Sequence, residues 1–217
     1  MARHHISKLR GRKSFQRRQG QRAPRSITLI VCEGETEQMY FQATRSHFGL
    51  TTAEVVVADK TKGSAPISVV DYAQERAREP GGYDHIFCVF DRDGHESFDR
   101  ARTKIHELAN RARNPLPIHE TISVPCFEMW VLLHFEKTDS PFLKCDDVVG
   151  RITRNHIDGY TKADLNAAKQ LMTHIEAALT NSVWLASRTG IINENPSTSV
   201  HKLVQHLKSV STLTIQL

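Results

Sequence analysis

The apolar positions of the chain fall into short solid runs in its first half, separated by stretches with helical spacing. Ile27-Thr28-Leu29-Ile30-Val31-Cys32 is a β-rich run with no polar alternation, the pattern of a strand buried on both faces. Glu33-Gly34-Glu35-Thr36-Glu37 follows, and Met39-Tyr40-Phe41 with Ala43 predicts a helix to about Phe48. A second strand is expected over Glu54–Ala58, and a helix over Pro66–Ala77, ending before Pro80-Gly81-Gly82. His85–Phe90 reads as a third strand, closed by Asp91-Arg92-Asp93-Gly94. Phe98, Ala101, Ile105, Leu108 and Ala112 recur every three or four residues, so 95–113 is an amphipathic helix. Pro117–Ser123 is the fourth strand.

Beyond it the pattern turns helical. Pro125 suits the first turn of a helix to about Phe135, apolar all round and therefore buried. Ala163–Leu179 predicts another helix and 198–208 a third. Strands alternating with helices imply parallel βαβ units. The expected fold class is α/β, a mostly parallel open sheet flanked by helices, with a helical C-terminal part.

Charge changes the picture at one end. The 217 residues carry 29 Lys+Arg against 24 Asp+Glu, a net +5. Residues 1–25 hold nine of the bases and no acid, leaving a net −4 on the rest. The expectation is a disordered basic arm over 1–25 and one domain over 26–217. Arg10, Arg12, Lys13, Arg17, Arg18 and Arg22 are the candidate nucleic-acid contacts. No stretch approaches the ~18 apolar residues of a membrane span, and the basic N-terminus lacks the apolar segment of a secretory signal. Cys32, Cys88, Cys126 and Cys145 form no C-x-x-C pair and read as buried free thiols of a cytoplasmic protein, without a disulfide framework.

Candidate chemistry gathers where strands end. Open α/β sheets build sites at the carboxyl ends of their strands, and three such ends here lead into acids. Glu33 closes the first strand, before Gly34, where the backbone can approach a ligand, and Glu37 lies near it across the helix start. Asp91 and Asp93, two apart in extended chain, present both carboxylates to one side. Paired hard oxygens suit Mg²⁺ or Mn²⁺; the alternative is a solvated acidic turn favouring the next helix N-terminus. Glu128 stands among apolar neighbours from Cys126 to Leu133, so it needs a metal, a basic partner or backbone N–H groups. Lys162 precedes a helix and suits a phosphate or solvent; His134 reads as a satisfied core histidine. H-E-x-x-H, a Cys/His pair at zinc spacing, an EF-hand loop, G-x-x-x-x-G-K-[ST] and G-x-S-x-G are all absent.

Ile30 through Glu37 with Tyr40-Phe41, then Val89-Phe90-Asp91-Arg92-Asp93, then Ser123 through Trp130 running into Leu132-Leu133-His134-Phe135, resemble the RloB-like family in order and spacing. Tyr160-Thr161-Lys162 and Asn195-Pro196-Ser197-Thr198 match its later landmarks, so the resemblance covers roughly residues 25–208. It implies a Toprim-like fold related to the nuclease domains of OLD-family proteins, and a role in prokaryotic defence against phage, including abortive infection. By that resemblance Glu33, Asp91 and Asp93 hold one Mg²⁺ or Mn²⁺, Glu37 and Glu128 complete a second metal site, and Lys162 is the late basic residue. The expected activity is metal-dependent cleavage of nucleic acid: RNA, with tRNA attractive for a self-killing enzyme, or DNA. The alternative is a non-catalytic Toprim-like module that binds nucleic acid or an ATPase. A separate ATPase partner and self-association are left open, and a membrane partner is not expected.

Overall fold

The computed structural model describes residues 26–58, 65–189 and 194–215, and side chains as far as 211. The arm over 1–25, with its candidate contacts, lies outside the described residues. Five strands form one sheet: β1 (Thr28–Cys32), β2 (Ala53–Val57), β3 (His85–Asp91), β4 (Ile118–Val124) and β5 (Ser197–Thr198), in the order β2-β1-β3-β4-β5. The first four are parallel and β5 is antiparallel to β4. The expected α/β class with a mostly parallel sheet flanked by helices is what the chain adopts.

Both faces of the sheet are covered at β1 and β3, which is why these two strands are apolar without alternation. Leu29 and Val31, with Ile86, Cys88 and Phe90, face α2 (Pro66–Arg76) and α3 (Phe98–Ala109). Ile30 and Cys32, with Phe87 and Val89, face a larger core. That core is built with α1 (Glu35–His47), α4 (Glu128–Leu132), α5 (Cys145–Asn155), α6 (Leu165–Leu171), α7 (Ile175–Thr189) and α8 (Val200–Ile215). Among the described residues, no helix is long and apolar enough to cross a membrane.

The departures from the expected elements have local reasons. The helix expected over 125–135 is only α4, because the chain turns over 125–127 and enters the helix at Glu128. His134 and Phe135 then close with i→i−3 bonds to Val131 and Leu132. Helix 163–179 divides into α6, a 3₁₀ turn over Met172–His174, and α7, which runs ten residues further. α5 buries only Val148 and Ile152, too sparse a stripe to stand out in the sequence. β5 has two residues, below what periodicity can show. His134 is buried, its Nδ1 3.0 Å from the Trp130 carbonyl and its Nε2 3.2 Å from the Tyr40 hydroxyl, a satisfied core histidine as expected.

The cysteine reading needs correction. Cys32 and Cys88 are buried free thiols, but Cys126 and Cys145 form a disulfide. Their 19-residue separation hid a Cα–Cα distance of 5.6 Å, created when α5 packs beside α4.

Candidate metal centre

The strand order places the site. β2 lies on one side of β1 and β3 on the other, so the sheet reverses direction between β1 and β3. A crevice opens at such a switch point, beyond the carboxyl ends of the strands. Cys32 is level with Val89, which sets Glu33 beside the end of β3. The Glu33 N–H donates to the Val89 carbonyl at 3.0 Å, and its side-chain Oε2 accepts the Asp91 N–H at 3.2 Å.

Asp91 is fixed from the other direction. Its Oδ2 accepts the Phe127 N–H at 2.9 Å, a backbone donor from the β4–α4 loop that sequence reasoning did not single out. Its Oδ1 is buried and accepts no hydrogen bond among the described residues. The Arg92 N–H donates to the Ser123 carbonyl at 3.0 Å. Asp93 is exposed, and its carboxylate accepts the His95 N–H at 3.2 Å within its own turn.

Glu37, in the first turn of α1, is buried. Gly34 makes room for it. Its backbone is extended (φ −131°, ψ 177°), so any residue could adopt that conformation. A Cβ there, however, would lie 2.9 Å from Glu37 Oε2, so a larger residue would displace the Glu37 carboxylate. Glu128, 1% exposed, meets the half-exposed Lys162 ammonium 3.2 Å from its Oε1. The loop carrying Lys162 is tied to α1 where the Ala163 N–H donates to Thr36 Oγ1 at 3.2 Å. Thr36 was not singled out from the sequence, where a threonine beside a helix start gives no distinguishing signal.

These groups feel one another. Burial, and after it the charges of Asp93 and Glu37, pushes the Glu33 carboxyl up to about 8, although the Asp91 N–H opposes the shift. Burial pushes Glu37 up to about 7; backbone N–H groups and Lys162 oppose the rise, and Glu128 adds to it. Asp91 is raised by burial, then by Glu37, Glu128 and Glu33. Burial, followed by the Glu128 and Glu37 charges, keeps the Tyr160 phenol protonated. The fold has therefore gathered more buried negative charge than one lysine compensates, a condition relieved by protons or by a cation.

The structure thus brings Glu33, Glu37, Asp91, Glu128 and Lys162 together and leaves Asp93 at the rim, its charge still felt at Glu33. The donors are hard oxygens, and Asp91 Oδ1 lacks a partner, so the set fits Mg²⁺ or Mn²⁺. Among the described residues, the one group with three donor atoms within 4.8 Å of one another is Cys126, Glu128 and Cys145. The carboxylates of Glu33, Asp91 and Asp93 do not all come within that distance of one another.

No curated protein and no solved structure matches the chain. The family model described as RloB-like protein matches residues 28–207, from the first residue of β1 into α8, and the chain belongs to the RloB-like family.

Proposed function

We propose that this chain is a Toprim-like, Mg²⁺- or Mn²⁺-dependent nuclease of a prokaryotic anti-phage system. The observation that carries the reading is the group of acids at the β1–β3 switch point, with two carboxyls pushed up to about 7 and 8 and one buried oxygen unpartnered. Charge crowding of this kind destabilises a fold and is a mark of functional sites. Glu33, Asp91 and Asp93 would hold one cation, and Glu37 and Glu128 would complete a second. Bound there, paired divalent cations supply an activated water and stabilise the leaving oxygen of a phosphodiester.

The chain's own groups have defined tasks in this reading. The Phe127 and Asp91 N–H groups orient the Asp91 and Glu33 carboxylates before substrate arrives. Lys162, half-exposed beside Glu128, offsets charge building on the phosphate. The bases of residues 1–25 collect the polyanion that an acidic centre would otherwise repel. The substrate is RNA, with tRNA one candidate, or DNA; a separate ATPase partner fits the same reading. One observation favours the alternative, a non-catalytic Toprim-like binding module: no three of the site's carboxylates come within 4.8 Å among the described residues.

The test is incubation of the purified chain with RNA and DNA panels in Mn²⁺, in Mg²⁺ and in EDTA, beside the Asp91→Ala/Asp93→Ala variant. Metal-dependent cleavage lost in the variant is expected. Equal cleavage by parent and variant sinks the site assignment, and no cleavage of any substrate in either metal favours the binding module.

A further inference from the structure

We propose that reduction of the Cys126–Cys145 disulfide opens a separate metal site beside the acidic centre, for a thiophilic divalent cation such as Zn²⁺, formed by Cys126, Cys145 and Glu128. One donor atom from each of these residues falls within a sphere where all lie within 4.8 Å of one another. Two segments supply them: Cys126 from the β4–α4 turn with Glu128 at the start of α4, and Cys145 as the first residue of α5. Cys145 Sγ is 3.1 Å from Glu128 Oε2, and the Cα atoms of the two cysteines are 5.6 Å apart. On a tetrahedral zinc with bonds of ~2.3 Å, two thiolates stand roughly 3.8 Å apart, a separation these Cα positions reach by side-chain rotation.

Charge supports the same ligand set. Two thiolates and a carboxylate carry three negative charges, and a divalent cation leaves one. The Lys162 ammonium, 3.2 Å from both Cys145 Sγ and Glu128 Oε1, balances it. Glu128 is 1% exposed and its Oε2 lies 3.1 Å from Cys145 Sγ, so a buried carboxylate oxygen is already in place beside the sulfurs. Thiolates select a soft cation over Mg²⁺. Cys145 also lines an open cleft with Arg92, Asp93, Pro125 and Lys144, which gives reductant and metal a way in.

The steps balance with a dithiol as reductant. The dithiol gives two electrons and two protons to the S–S bond, leaving two cysteine thiols and becoming a cyclic disulfide itself. Binding of the cation then releases both thiol protons to water. Glu128 belongs to both sites, so a thiophilic cation here withdraws it from the acidic centre. The inference does not depend on the nuclease reading, since binding is read without substrate.

The experiment titrates the full chain with Co²⁺, oxidised and after dithiol reduction, and follows the thiolate-to-cobalt charge-transfer band in the near ultraviolet. The reduced chain is expected to show the band with visible bands of four-coordinate geometry, both lost when Zn²⁺ is added. The oxidised chain shows neither. Cys145→Ser weakens Co²⁺ binding by more than the roughly 10–100-fold of an outer-shell change, while the Cys32→Ser/Cys88→Ser variant keeps the band. The oxidised-against-reduced comparison needs no substitution and stands even where a variant folds poorly. A reduced chain without the band, or a band that survives Cys145→Ser and vanishes in Cys32→Ser/Cys88→Ser, overturns the assignment.

Discussion

Replacing Glu33 by Gln should stabilise the metal-free chain at high pH and change it little at low pH. In the fold the Glu33 carboxyl titrates at about 8 in place of 4.5. A pKa raised by folding contributes stability that is fully present below the unfolded value and lost as pH rises through the folded one. At ~1.36 kcal/mol per unit, the raised value costs the fold about 4 kcal/mol at pH 8, and about 1 kcal/mol at pH 5, where the unfolded chain ionises and the fold keeps Glu33 protonated. Glu33 is half-buried, so solvent screening cuts these to about 2 and about 0.5 kcal/mol. Gln escapes that cost. It still accepts the Asp91 N–H as a neutral acceptor, as the protonated Glu33 of the parent does at pH 5, and at pH 8 the bond to the charged form is already contained in the value of about 8. Free of metal, the variant is therefore about 2 kcal/mol more stable than the parent at pH 8 and about 0.5 kcal/mol more stable at pH 5. Urea unfolding in EDTA at the two pH values reads this directly, since the midpoint moves while the slope stays constant. A variant destabilised equally at both would refute the reasoning, because Glu33 would then be an ordinary ionised surface carboxylate.

Three other outcomes follow from the same geometry. Gly34→Ala should leave stability within about 1 kcal/mol, since the backbone tolerates it, yet weaken Mn²⁺ binding about tenfold by displacing Glu37; a thermal melt and a Mn²⁺ titration separate the two effects. Lys162→Ala should lower kcat by about 10²–10³ with little change in KM, as for loss of one donor to a developing charge; a rise in KM alone would assign the lysine to ground-state binding. Deleting residues 1–22 should flatten the salt dependence of nucleic-acid binding by roughly 0.7–0.9 in log–log slope per phosphate contact removed, and an unchanged slope would show that the arm makes none.

The sheet was legible because its signal is local. A strand covered on both faces must be apolar throughout, and Leu29–Cys32 and Ile86–Phe90 announce it. The acids were legible by contrast with those runs: Glu33 and Asp91 at strand ends, Glu128 among apolar neighbours. What pairs with each acid was not, because the partners come from elsewhere in the chain. Phe127 holds Asp91 through a backbone N–H, which has no sequence signature. Lys162 meets Glu128 only after α5 has packed against α4, and the same packing joins Cys126 to Cys145. Asp93 shows the limit of the spacing argument. Two residues share a side only while the strand lasts, and β3 ends at Asp91, so Asp93 turns to its own loop.

Direct counting of bound Mn²⁺ tests the central claim without a substrate. At pH 8, where the raised carboxyls of Glu33 and Glu37 give up their protons most readily, calorimetric titration should find about two Mn²⁺ per chain, bound with release of protons. Affinity should fall as pH drops toward 5, and Asp91→Asn should lose binding. Absence of Mn²⁺ binding at pH 8, or binding unaltered by Asp91→Asn and by pH, would contradict the account.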